Sequence, residues 1–89
     1  MAEVTAPKIR SAFYSKLREE FYVYLRKQPL LSEWNPRQMY ALVSDVVNSK
    51  TPEINFYLDT NKFPIREVDK VVTYVVEKIL APEIEKLTI

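Results

Sequence analysis

Glycine, histidine and cysteine are all missing from these 89 residues. Without glycine there is no phosphate-cradling loop of the Walker or dinucleotide-binding kind, because such loops need a backbone approach that a Cβ would block. Without histidine no side chain titrates near neutrality unperturbed, and the commonest zinc ligand is gone. Without cysteine there is neither a disulfide framework nor a thiolate nucleophile, which fits a reducing compartment. Charge of one sign is lacking too: 13 Lys and Arg stand against 12 Asp and Glu, a formal balance of +1. A near-neutral chain has no global field drawing it to nucleic acid or anionic lipid, so either would have to be met by local clustering. Long apolar runs are also absent. The stretch from Val71 to Leu80 is broken by Thr73, Glu77 and Lys78, far short of a bilayer span. The opening Met-Ala-Glu-Val-Thr-Ala-Pro has no basic-then-apolar signal pattern. The expectation is a cytoplasmic protein with no membrane partner.

What is present is enough for a core. Hydrophobic residues make up 47% of the chain, aromatic residues 12% and charged residues 28%, close to the averages of globular domains. The length suits a single domain over 1–89, with residues 1–6 expected as a flexible tail. The six prolines act as punctuation, since each can be placed at a helix start or just past a helix end. The first helix is expected from about Pro7 to Gln28. At 100° per residue it gathers Ile9, Phe13, Leu17, Phe21, Tyr24 and Leu25 on one face, with Tyr14 at the edge and Arg10 and Glu20 intruding.

After a connector from Leu30 to Glu33, the segment Trp34-Asn35-Pro36-Arg37-Gln38-Met39 carries the clearest local signal. Asn35 suits an N-cap, Pro36 the first helical position and Gln38 the reciprocal half of a capping box, with Trp34 and Met39 at hydrophobic-staple spacing. This second helix is expected to end near Asn48 as a left-handed C-terminal residue, burying Met39, Leu42, Val43, Val46 and Val47. Thr51-Pro52 reads as a new start. The segment Pro52–Asp59 is a short helix if Ile54, Tyr57 and Leu58 share a face, or a strand if Ile54, Phe56 and Leu58 alternate; the cap-and-proline opening favours the helix. Asp59 to Lys62 reads as a turn. Pro64 then opens the last long helix. Val68, Val71, Val72, Val75, Val76 and Ile79 form its stripe, extended by Ile65, and its adjacent valine pairs would face both ways on a strand. Pro82 is expected to end or kink it, leaving a short C-terminal turn. The expected fold is an all-α bundle of three long helices plus the short Pro52–Asp59 helix.

No catalytic constellation emerges from the residues. The serines have no histidine to activate them. Glu19 with Glu20, and Glu83 with Glu85, are too close along a helix to face each other as an acid–base dyad or metal clamp. No enzyme activity, cofactor, metal or small-molecule substrate is therefore expected. A helix-turn-helix is excluded as well, because its second helix would be Pro-Glu-Ile-Asn-Phe-Tyr-Leu-Asp, with two acids and no base to meet phosphate.

Two surfaces remain. Phe13, Tyr14, Phe21, Tyr22 and Tyr24 are half of all Phe and Tyr residues, and the apolar arc of the first helix, about 160° wide, exceeds what one neighbouring helix covers. Tyr14, Tyr22, Tyr24 and Trp34 are accordingly the candidates for a protein contact, with another protein or with a second copy as a homodimer. On the polar side Lys8, Ser11, Ser15, Arg18, Tyr22 and Arg26 project within roughly 80°. Lys8, Arg18, Tyr22 and Arg26 thus form a basic strip with an aromatic at its centre, fit for phosphates and a stacked base. The expected function is a non-enzymatic interaction module, an accessory subunit or homo-oligomer, with a nucleic-acid-binding regulator as the alternative.

Overall fold

The computed structural model describes residues 7–88, so the expected tail at 1–6 lies outside the described residues. Helix α1 spans Pro7–Arg26, α2 spans Pro36–Asn61, α3 spans Val68–Val75 and α4 spans Ala81–Thr88. No strand occurs among the described residues, and the all-α expectation holds. Helix α1 closes by tightening: the Lys27 amide donates to the Tyr24 carbonyl at 3.2 Å and the Gln28 amide to that of Leu25 at 3.0 Å. Gln28, preceding a proline, takes the extended backbone that a following ring imposes (φ −82°, ψ 123°), and a 3-10 turn at Pro29–Leu31 leads on.

The capping box forms as expected. The Gln38 amide donates to Asn35 Oδ1 at 2.8 Å and the Asn35 amide to Gln38 Oε1 at 3.1 Å. The end of this helix is where expectation fails. Instead of stopping at Asn48, α2 runs through Pro52 to Asn61, so the separate short helix Pro52–Asp59 does not exist and Asn48 is not left-handed. Thr51, expected to cap a new helix, turns its hydroxyl backwards and donates to the Val47 carbonyl at 2.8 Å, and Ser49 does the same to Val46 at 3.0 Å. An interior proline costs a helix about 3 kcal/mol. Continuity offsets that cost because it keeps Met39, Val43, Val46, Val47, Ile54 and Leu58 buried along one rod. The left-handed residue is Lys62 (φ 48°, ψ 62°), whose amide closes the helix on the Leu58 carbonyl at 2.9 Å.

The last segment holds a second departure. A 3-10 turn at Ile65–Glu67 precedes α3, leaving Ile65 44% exposed rather than in the stripe. Between α3 and α4 lies a π-helical turn, Val76–Leu80, closed by the Ala81 amide on the Val76 carbonyl. The helix is therefore not ended by Pro82. One residue is absorbed just before it, which relieves the ring of its clash with the preceding turn. The insertion also shifts the phase by one position. An uninterrupted α-helix would carry the stripe from Val72 and Val76 to Ile79 and Glu83; with the π turn, Leu80 and Ile84 are buried instead and Ile79 is only half-buried.

Cross-helix contacts give the topology. Arg10 pairs with Asp59, Tyr14 with Asn55 and Tyr22 with Tyr40, so α1 and α2 are antiparallel. Tyr57 meets Tyr74 and Lys50 meets Glu83, so α2 and the α3–α4 segment are antiparallel too. The Lys16–Asp69 pair is consistent with α1 and α3 running in the same direction. The three rods enclose a core of Phe13, Leu17, Phe21, Leu25, Met39, Val43, Val47, Ile54, Leu58, Val72, Val75 and Leu80, with no polar residue fully buried among those described. Arg10 intrudes as its spacing suggested, but its guanidinium reaches out to Asp59 at 2.5 Å. Glu20 stays exposed. No helix among the described residues is long and apolar enough to cross a membrane.

Candidate functional site

The polar strip of α1 is set by the same periodicity that buries Phe13, Leu17 and Phe21: the residues one position further round face the seam with α2. There Ser11, Tyr14, Ser15 and Arg18 meet Asn48 and Thr51 of α2 across a cleft of about 350 Å³. No carboxylate lines it. Four other surface clefts each include at least one: Glu20 and Glu77 beside Val23 and Tyr24, Asp69 and Glu77 beside Tyr74, Glu67 beside Phe63, Asp45 and Glu83 beside Leu42.

Tyr22 lies one helical turn beyond Arg18 and one before Arg26. Its ring stacks on that of Tyr40 from α2, with centroids 4.5 Å apart and planes 17° from parallel. Tyr22 is half-buried and Tyr40 is 51% exposed, so the Tyr40 side chain stays open to solvent although Tyr22 covers one face of its ring. Arg37 stands one turn before Tyr40 on α2. Among the described residues Arg18, Arg26 and Arg37 have no ion-pair partner, whereas Arg10, Lys16, Lys50 and Lys86 each have at least one. Arg18 instead leans over the Tyr14 ring, 6.0 Å from its centroid. The side chain of Lys8, the remaining member of the expected basic strip, lies outside the described residues.

The four residues expected to contact a protein do not form one surface. Tyr14 is a strut between helices, its hydroxyl donating to Asn55 Oδ1 at 2.6 Å and its ring edge-on to Phe13. Tyr24 stacks on Phe21 with centroids 6.2 Å apart and lines the α1–α3 cleft, away from Tyr22. Trp34 is 38% exposed in the connector before α2. Tyr22 lies within the basic strip, and Tyr14 borders it through Arg18.

Sequence reasoning missed Arg37, Tyr40, Asn48 and Thr51 as part of this face. Their spacing of three to eight residues places them along one side of a single long helix, and only Thr51 falls beyond the end expected at Asn48. A second aromatic group lies elsewhere on the molecule. Tyr57 stacks on Tyr74 at 4.8 Å and meets Phe63 at 5.3 Å, and nearby Phe56 is 73% exposed.

Burial pushes the Tyr14 hydroxyl above its ordinary pKa, against the opposing pull of Arg10 and Arg18. A tyrosine held neutral in the fold stabilises it fully below the unfolded value of about 10 and ceases to as pH rises through the folded value. Tyr14→Phe is expected to cost about 0.5–1.5 kcal/mol near neutral pH, the net worth of the hydrogen bond to Asn55. The same variant should lose less stability than the parent as pH climbs past about 10. Urea unfolding of both proteins across that range checks it; an identical alkaline slope would remove Tyr14 from the account. Burial raises the Tyr57 hydroxyl too, so part of the alkaline fall persists in the variant.

Comparison of the chain with protein-family models, with curated proteins and with solved structures finds no match.

Proposed function

We propose that this chain is a non-enzymatic interaction module that engages an anionic partner through the α1–α2 face. One observation carries the reading: three arginines, Arg18, Arg26 and Arg37, without ion-pair partners among the described residues, each stand one helical turn from a member of the half-open Tyr22–Tyr40 stack, near a cleft without carboxylates. Three unpaired arginines on one face, beside a cleft with no acid in its lining, make a surface of uncompensated positive charge. An aromatic pair with one wet face adds contact area at low conformational cost. Composition points the same way, since a chain without histidine or cysteine has few means of nucleophilic or acid–base chemistry near neutral pH.

The test is comparative capture. The intact chain and an Arg18→Glu/Arg37→Glu variant, matched for helicity and melting temperature, are recovered from the cells that naturally make the protein, and the mass of each assembly is measured without denaturation. The expected outcome is a complex with the parent chain and at least a tenfold loss of it with the variant. A lone monomer from the parent, or equal yields from both, would overturn the reading.

A further inference from the structure

We infer that the anionic partner is a single-stranded nucleic acid, its phosphates held by Arg18, Arg26 and Arg37 and one base stacked on the open face of Tyr40. The inference rests on the α1–α2 face being the binding surface.

Tyr22 sits halfway between Arg18 and Arg26, which are about 12 Å apart along α1 at 1.5 Å per residue. The Tyr22–Tyr40 stack is therefore flanked by cations rather than placed beside them, and Arg37 approaches from α2. An acidic peptide would use the guanidinium groups but has no flat ring to place on an aromatic platform. A duplex would use them too, but its bases are stacked on one another and show Tyr40 only their edges. An unpaired base has a free π-face, and stacking on an aromatic side chain is how sequence-tolerant single-strand binders hold it. The platform is already assembled, because Tyr22 fixes the Tyr40 ring at 4.5 Å and 17° before any ligand arrives, so less ordering remains to be done on binding. The remaining lining of the cleft, Ser11, Ser15, Asn48 and Thr51, consists of the hydroxyl and amide groups that commonly meet phosphate and sugar oxygens.

Fluorescence anisotropy with four labelled probes decides the matter: oligothymidylate of about 12 nucleotides, the same backbone with abasic sites, a duplex of equal length and a polyglutamate peptide. The expected result is tightest binding to oligothymidylate. Three neutralised phosphates predict a slope of log affinity against log salt of about −2, or roughly 16-fold weaker binding at 200 mM than at 50 mM. Arg18→Gln should flatten that slope by about 0.7. Tyr40→Ala should weaken oligothymidylate binding about 5- to 150-fold and leave the abasic probe unchanged, while Tyr40→Phe, which keeps the ring, binds like the parent. Phe56→Ala, on the exposed aromatic group elsewhere, should change nothing. If polyglutamate binds with Arg18 dependence and the oligonucleotides do not, the inference fails and the interaction-module reading stands. Equal binding of duplex and single strand, indifferent to Tyr40→Ala, also overturns it. If no probe binds at low salt and the capture experiment also yields a lone monomer, both readings fail together.

Discussion

Phe21→Ala is expected to remove about 3–5 kcal/mol of stability, the cost of emptying a phenylalanine site in a packed core. Phe21 is completely buried in the second half of α1 and backs onto the Tyr24 ring. At roughly 0.05–0.15 kcal/mol per residue, a domain of this length holds only about 4–13 kcal/mol in total. The variant should therefore be marginal at best, melting lower by some 12–40 °C at about 4–8 °C per kcal/mol. Circular-dichroism melts of the parent, Phe21→Ala and Phe56→Ala make the comparison. Phe56 has the same chemistry but lies on the surface, so its truncation should stay within about 0.5 kcal/mol. A Phe21→Ala cost below about 1.5 kcal/mol would mean that the α1 core face is not packed as described.

A second pair of substitutions reads the π turn directly. Leu80→Ala should cost about 2–5 kcal/mol, and Ile79→Ala no more than about half as much, because Leu80 is fully buried and Ile79 only partly. With a regular α-helix through this stretch the order would reverse, since the valine stripe points to Ile79. Urea midpoints of the two variants separate the cases without any structural measurement. An equal or inverted pair of costs would eliminate the inserted residue. The insertion has a physical rationale on both sides. It gives the Pro82 ring space, and it brings Ile84 rather than Glu83 to the interior, leaving Glu83 at the surface to pair with Lys50 and Lys86.

Much of the fold could be read from residues alone, and the reasons differ by segment. The interior face of α1 was legible because an unbroken 3.6-residue period runs from Phe13 to Leu25, and of the residues expected on it only Ile9 and Tyr24 are half-buried rather than buried. The start of α2 was legible because a capping box is chemistry contained within four residues. The end of α2 was not. Thr51-Pro52 has the same composition as a helix start, and whether the threonine hydroxyl reaches forward or back to Val47 depends on burial at Ile54 and Leu58, a tertiary matter. Ile79 and Leu80 exchanged places for a related reason, since a π turn leaves no compositional mark. At the candidate site, Arg18, Tyr22 and Arg26 were visible as a helical strip, whereas Tyr40 and Arg37 join them only when two helices pack. Tyr14 and Tyr24 belong to the wide aromatic arc, and both have partners inside the molecule, in Asn55 and Phe21, because α2 and α3 together cover more of α1 than one neighbour would.

The continuity of α2 also bears on how the molecule comes apart. At about 1.5 Å per residue its 26 residues reach about 39 Å, nearly the full 43 Å length of the protein. Both other rods pack along it, and no half of the bundle has an interior that excludes it. Fraying of α4 or of the start of α1 can be local, but any opening that frees the middle of α2 strips the core from both sides at once. Protection of its central amides against solvent exchange is thus tied to global unfolding. A proline in mid-helix, ordinarily a weak point, here sits in the most cooperative element of the chain.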